Sequence, residues 1–178
     1  VTSNFSGTTE IALWLLLSLS RRATCAARDV AEGKWNRNLF VGSTLRNQTI
    51  GIIGLGRLGV QMAKLSMSLG MKVLFFDIQR KRLFGARSVN SISDLLKEAN
   101  VISIHVDDRQ DNQKLISREL LSMAKNLLII NTSRGFVVDE HALIDAMVLG
   151  KVAGFGADVL DLEQGETQEW LADNQIWK

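Results

Sequence analysis

The chain has 178 residues and a mass of 19.7 kDa, the size of one ordinary domain. At 46% hydrophobic and 22% charged, with a net charge of +2, it falls in the globular range and outside the disordered one. One cysteine, Cys25, excludes an internal disulfide and a cysteine-rich zinc site; with only His105 and His141 as histidines, no metal is expected, and a reducing, cytoplasmic location is.

Residues 8–32 read as one long helix, started by Gly7 or Thr8, with Glu10 in its first turn. Ile11 to Leu17 is apolar nearly all round, so this helix must be buried, against another chain or a further domain. The run is too short for a membrane span, which needs about 20 residues. Arg21 and Arg22 follow it, whereas the basic segment of a secretory signal comes first. Residues 33–47 read as a loop.

Strands and helices then alternate. Strands are expected at 49–53, 72–76, 101–106, 127–131 and 152–159. Helices are expected at 56–69, ended by Gly70; 91–99, opened by Ser91; 117–124; and 139–149, ended by Gly150. Strands apolar throughout, separated by helices, predict a parallel sheet covered on both faces, and right-handed crossovers make it doubly wound. The fold class is therefore α/β, in one domain over residues 1–178.

Charge is divided unevenly. Residues 1–134 hold 19 Lys and Arg against 10 Asp and Glu; residues 135–178 hold 2 against 9. A basic half can mean nucleic acid. Here the basic residues are scattered without an aromatic platform, so solvated surface plus a site for a small anion is expected, and no nucleic acid.

Gly54-Leu55-Gly56-Arg57-Leu58-Gly59 is a G-x-G-x-x-G between an expected strand and an expected helix. Gly54 suits a tight turn, Gly56 lets a pyrophosphate approach, and Gly59 lets helix and strand pack closely. The helix N-terminus adds free N–H groups and a partial positive charge. The second strand ends in Asp77, 23 residues after Gly54, where a carboxylate can accept the ribose hydroxyls of NAD and repel a 2′-phosphate. The Rossmann arrangement and NAD are thus expected. Arg80, Lys81 and Arg82 follow closely and keep NADP open as a second choice.

These motifs, together with Thr9-Glu10, Gly33-Lys34-Trp35, Gly70-Met71-Lys72-Val73, His105, Ile130-Asn131-Thr132-Ser133-Arg134-Gly135, Val138-Asp139-Glu140 and Ala157-Asp158-Val159, run through nearly the whole chain. In this order they resemble the NAD-binding domain of the D-isomer-specific 2-hydroxyacid dehydrogenases, the group that includes D-3-phosphoglycerate dehydrogenase. The resemblance implies a hydride transfer between NAD and a small 2-hydroxy or 2-keto acid. It implies that Arg57 and Leu58 meet the pyrophosphate, Asp77 the adenosine ribose and Val106 the adenine side. Thr132 and Ser133 lie along the nicotinamide half, and Asp158 takes the carboxamide. Arg134 matches the substrate-binding arginine and Glu163 the catalytic glutamate. Both follow strands, where ligands of open α/β sheets bind, and an arginine can grip a carboxylate with two parallel hydrogen bonds. Phe75-Phe76-Asp77-Ile78 and Asp94-Leu95-Leu96 read most like the 3-phosphoglycerate branch.

The chain departs from the family in three ways. The family's catalytic histidine follows a segment like Asn174-Gln175-Ile176-Trp177, and the flanking substrate domain is also absent, so a fragment that binds NAD without turnover is expected. His105 matches a non-catalytic histidine at a strand end, and His141 reads as a surface residue. Proline is absent: Asp107, Lys125-Asn126 and Gln164 stand where the family commonly has it. The resemblance implies a homodimer through the 8–32 helix and the Trp35 loop. A regulatory module of the same fold, similar to the NAD-sensing C-terminal-binding-protein corepressors, is the alternative to an enzyme.

Overall fold

The computed structural model describes residues 4–161. Six parallel strands form one sheet: β1 (Thr49–Ile53), β2 (Lys72–Phe76), β3 (Ala86–Ser88), β4 (Val101–Ile104), β5 (Leu127–Asn131) and β6 (Val152–Ala157). Their spatial order is β3-β2-β1-β4-β5-β6. The order reverses between β1 and β4, and that reversal is where a doubly wound sheet opens a crevice. The helices are α1 (Asn4–Arg21), α2 (Ala23–Ala31), α3 (Arg57–Ser68), α4 (Ile92–Glu98), α5 (Arg118–Met123) and α6 (Glu140–Val148).

The apolar runs become the central strands because both of their faces are covered. One core, with Leu95, Ile102, Leu121, Ile129 and Leu143, lies between the sheet and α4, α5 and α6. The other, with Leu16, Ile50, Ile52, Met62 and Phe75, lies between the sheet and α1 and α3. Leu16 and Met62 are fully buried, and each such side chain contributes roughly 1.5–3 kcal/mol over its exposed state.

The expected limits of β1, β2 and β5 agree with those observed, and Gly70 (φ 77°) and Gly150 (φ 70°) end their helices in the left-handed region. Asn126 (φ 52°) takes the left-handed position of the Lys125-Asn126 turn, a conformation asparagine tolerates better than most residues.

The single helix expected over 8–32 is two helices. The break is at Arg22, in the left-handed region at φ 52°. The Ser20 carbonyl is taken by the Ser43 N–H (2.8 Å) and so is drawn away from the helix, while Gly42 packs directly on the Ser20 and Arg21 backbone. α1 begins four residues earlier than expected. It buries Ala12, Leu15 and Leu16 against α3, β5 and β6 and leaves Ile11, Trp14 and Leu17 exposed; α2 buries no residue. The expected strand 101–106 stops at Ile104, and 152–159 stops at Ala157. β3 was not anticipated: it is a three-residue edge strand, Ala-Arg-Ser, without an apolar run to announce it.

Candidate cofactor and substrate site

The site begins with strand register. Ile53 is paired with Phe76 of β2 and Ile104 of β4, so three strands end level. The Gly54 N–H then donates to the Phe76 carbonyl (2.9 Å), and the His105 N–H to that of Ile53 (2.8 Å). Gly54 turns at φ 88°, and a Cβ there would meet the His105 carbonyl oxygen at 2.6 Å. A Cβ on Gly59 would run into the Gly54 carbonyl. Helix α3 therefore sits tight against the loop, as the motif predicts. At Gly56 the outcome is the opposite: a Cβ would have nothing within 4 Å. The middle glycine faces open space.

Helix capping sets α3 apart from α4, α5 and α6. Ser91 caps α4, Ser117 caps α5 and Asp139 caps α6 by accepting backbone N–H groups. Gly56, the N-cap of α3, offers no side-chain acceptor. The first turn of α3 has no side-chain cap from Gly56 and presents the positive end of its dipole, which favours an anion.

A cleft of ≈ 240 Å³ lies over this turn, lined among others by Gly54, Gly56, Asp77, Lys81, His105 and Val106. Asp77 borders it from the end of β2, with its side chain only 8% exposed. Its Oδ2 accepts the Leu55 N–H (2.7 Å) and Lys81 Nζ (2.8 Å), and its Oδ1 accepts the Gln79 N–H (2.8 Å). Burial pushes this carboxyl up, but the hydrogen bonds from Lys81, Gln79 and Leu55 outweigh it and hold Asp77 below the ordinary aspartate value. His105, at the end of β4, bonds Ser103 Oγ through Nε2 (2.9 Å), and burial lowers its imidazole to about 4. It is neutral near pH 7.

Across the switch point, β5 ends in Asn131, fully buried. Its Oδ1 accepts from Ser133 N and Oγ (3.1 and 2.8 Å), and its Nδ2 donates to the Arg134 carbonyl (2.9 Å). This one amide shapes the turn that carries Thr132, Ser133 and Arg134. Thr132 and Ser133 are buried. Arg134 reaches outward, 54% exposed, with Nη1 on the Ser133 carbonyl (2.7 Å) and Nη2 3.7 Å from Asp108. Asp158 lies just past β6; its carboxyl is pushed up by desolvation. The β6 exit is tied back to the same turn: Glu140 Oε1 accepts the Asp161 N–H (2.9 Å), and Gly135 packs directly on the Leu160–Asp161 backbone. Glu163 and the Asn174–Trp177 segment lie outside the described residues.

Of the expected site residues, Gly54, Gly56, Asp77, Val106, Thr132, Ser133, Arg134 and Asp158 stand in the turns after the strands, while Arg57, Leu58 and Gly59 form the first turn of α3. His141 is exposed, as expected. The roles of Asn131 and Glu140 in shaping the site were not anticipated. The signals were there: a polar residue closing the apolar run Leu127-Leu128-Ile129-Ile130, and a second acid after the Asp139 cap.

The residues present fit a dinucleotide. The cradle at Gly56 is open, α3 is uncapped, and two buried polar atoms near the strand ends, Thr132 Oγ1 and His105 Nδ1, have no hydrogen-bond partner among the described residues. Among those residues no cluster of His, Cys, Asp or Glu could hold a metal ion, and no helix is long and apolar enough to cross a membrane.

Comparison with known proteins agrees with this geometry. The family described as "D-isomer specific 2-hydroxyacid dehydrogenase, NAD binding domain" matches residues 13–177. Glyoxylate reductase of Thermococcus litoralis is 37% identical over 174 residues, covering 91% of this chain and 52% of that protein. D-3-phosphoglycerate dehydrogenase of Archaeoglobus fulgidus is 38% identical over 165 residues, covering 90% of this chain and 31% of that protein. The structure of D-lactate dehydrogenase from Aquifex aeolicus complexed with NAD and lactic acid is similar with a TM-score of 0.81 and 32% identity, over 86% of this chain and 47% of that one. The chain thus spans about a third to a half of the length of these proteins. It belongs to the NAD-binding domain family of the D-isomer-specific 2-hydroxyacid dehydrogenases.

Proposed function

We propose that this chain is the cofactor-binding part of an NAD-dependent dehydrogenase acting on a small D-2-hydroxy or 2-keto acid. The observation that carries this reading is the uncapped first turn of α3 facing open space at Gly56, beside the buried Asp77 carboxylate. When bound, NAD supplies the hydride acceptor. The α3 N-terminus, with Arg57 and Leu58, would hold the pyrophosphate. Asp77 would accept from the adenosine ribose, with Val106 on the adenine side. Thr132 and Ser133 would flank the nicotinamide, with Asp158 on its carboxamide. Arg134 would grip the substrate carboxylate and polarise the carbonyl. Glu163 would orient a histidine base and raise its pKa.

Neither histidine of this chain can be that base. His105 is buried, where desolvation makes it a poor proton acceptor, and its Nε2 is engaged by Ser103; His141 is a surface residue. The chain by itself therefore binds NAD without turnover. NAD is the preferred cofactor, 3-phosphoglycerate the first candidate substrate and the cytoplasm the expected location.

The exposed Trp14, Trp35 (79% exposed), Leu39 and Val41 on and beside α1 and α2 support a homodimer through this face. Sedimentation showing a monomer at tens of micromolar would contradict that.

The cofactor reading is tested by titrating the chain with NADH and following nucleotide fluorescence. Saturable binding, weakened tenfold or more by Asp77→Ala, is expected. No binding by a chain that shows a cooperative melt overturns it. A hydroxyacid-dependent rise in NADH absorbance would overturn the absence of turnover.

A further inference from the structure

Asp77 does not stand alone in the cleft. Lys81 Nζ lies 2.8 Å from Asp77 Oδ2 and also donates to the Leu55 carbonyl at 3.1 Å, while the same Oδ2 accepts the Leu55 N–H at 2.7 Å. One ammonium group thus ties the end of β2 to the phosphate loop. Its third proton has no acceptor among the described residues, and Lys81 lines the cleft together with Asp77 and Gly56. The lysine side chain is 30% exposed, so its charge is only partly screened.

A strand-end aspartate selects NAD in two ways: it accepts hydrogen bonds from the ribose diol, and its charge repels a 2′-phosphate. Lys81 weakens both. The Asp77 charge is cancelled at ion-pair distance. Oδ2 already takes two donors and Oδ1 takes the Gln79 N–H, which leaves the diol the remaining acceptor site of Oδ1. In exchange, the rim gains a cationic N–H donor beside Asp77 that a 2′-phosphate could use. Arg109, paired with Asp107, also feels the Asp77 charge across the cleft.

We propose that Lys81 is a specificity-determining residue: by neutralising Asp77 and presenting a free donor, it narrows the preference for NADH over NADPH and lets the site take a 2′-phosphorylated nucleotide. The proposal rests on the dinucleotide reading of the cleft given above.

The test is a paired fluorescence titration of the chain with NADH and with NADPH, for wild type, Lys81→Met and Lys81→Arg, with a thermal melt of each. Wild type is expected to bind both, with dissociation constants within about tenfold of each other. Lys81→Met should weaken NADPH about tenfold or more, since it leaves the Asp77 charge unopposed in a half-screened site, and should change NADH less than about threefold. Lys81→Arg, which keeps the charge, should hold the wild-type ratio within about threefold. A structural role alone would move both nucleotides together. If Lys81→Met does not fold, Lys81→Gln is read in the same way. A NADPH-to-NADH ratio unaffected by the neutral variant overturns the proposal, as does a wild type that binds NADH but not NADPH. Binding of neither nucleotide by folded wild type overturns the dinucleotide reading, and the proposal with it.

Discussion

At the β1–β2 end of the crevice, Asp77 is almost buried and accepts three hydrogen bonds, while Gly54 and Gly59 clamp α3 against the loop. At the β5–β6 end, the backbone turn is equally well held, by Asn131 and Glu140, but the side chain that would meet substrate is not. Arg134 is mostly exposed, and the carboxylate it pairs with among the described residues, 3.7 Å away, belongs to the exposed Asp108. The β1–β2 end is preorganised by contacts within the chain, so its geometry would cost little to reach on binding. The β5–β6 end has a rigid base and an exposed tip, held by the Ser133 carbonyl. A guanidinium this exposed keeps several of its donors in solvent, and its contacts contribute little to the fold.

That contrast can be broken experimentally, most forcefully at Gly59. A Cβ there collides with the Gly54 carbonyl, so Gly59→Val should lower stability by about 2–4 kcal/mol and reduce NADH affinity at least a hundredfold. Urea unfolding and nucleotide titration measure the two. Near-normal binding would mean that the tight helix–loop contact does not build the site.

The next effect is a dependence on pH. His105 packs under Gly54 and has its pKa lowered to about 4 by burial. A lowered histidine pKa means that the unfolded chain takes up a proton the native chain resists. Stability is therefore full above the ordinary value of about 6.5, falls as pH drops, and levels below about 4. Between pH 7 and pH 4.5 the wild type should lose about 2–3 kcal/mol more than His105→Gln, by the same relation. Parallel urea curves of the two proteins at both pH values would place the acid sensitivity elsewhere.

The smallest effect is expected at Arg134. Arg134→Met should change stability by no more than about 0.5 kcal/mol and NADH affinity by less than about threefold, because the side chain is exposed. A large loss of stability would show that the open half is as preorganised as the other.

Much of this was legible beforehand. The strands β1, β2 and β5 are short apolar runs, and Ser91 announces its helix by local chemistry. What escaped is what depends on distant partners. Residues 8–32 carry an unbroken helical pattern; the break at Arg22 exists because residues 42–43 return to take the Ser20 carbonyl. β3 has no pattern of its own and forms by pairing with β2. Lys81 was legible only as one of three basic residues after Asp77, and its bond to the Leu55 carbonyl comes from the loop lying beside it.

The sequence by itself determined the alternation of strands and helices, the glycine loop and the acid 23 residues beyond it, because these are set by side-chain periodicity and by backbone freedom within a few residues. Only the tertiary structure decided which charge neutralises Asp77, how closely α3 sits against the glycine loop and which face of α1 stays bare. Those outcomes depend on which groups meet across the sheet, and hydrogen bonds and burial are settled only when segments tens of residues apart come into contact.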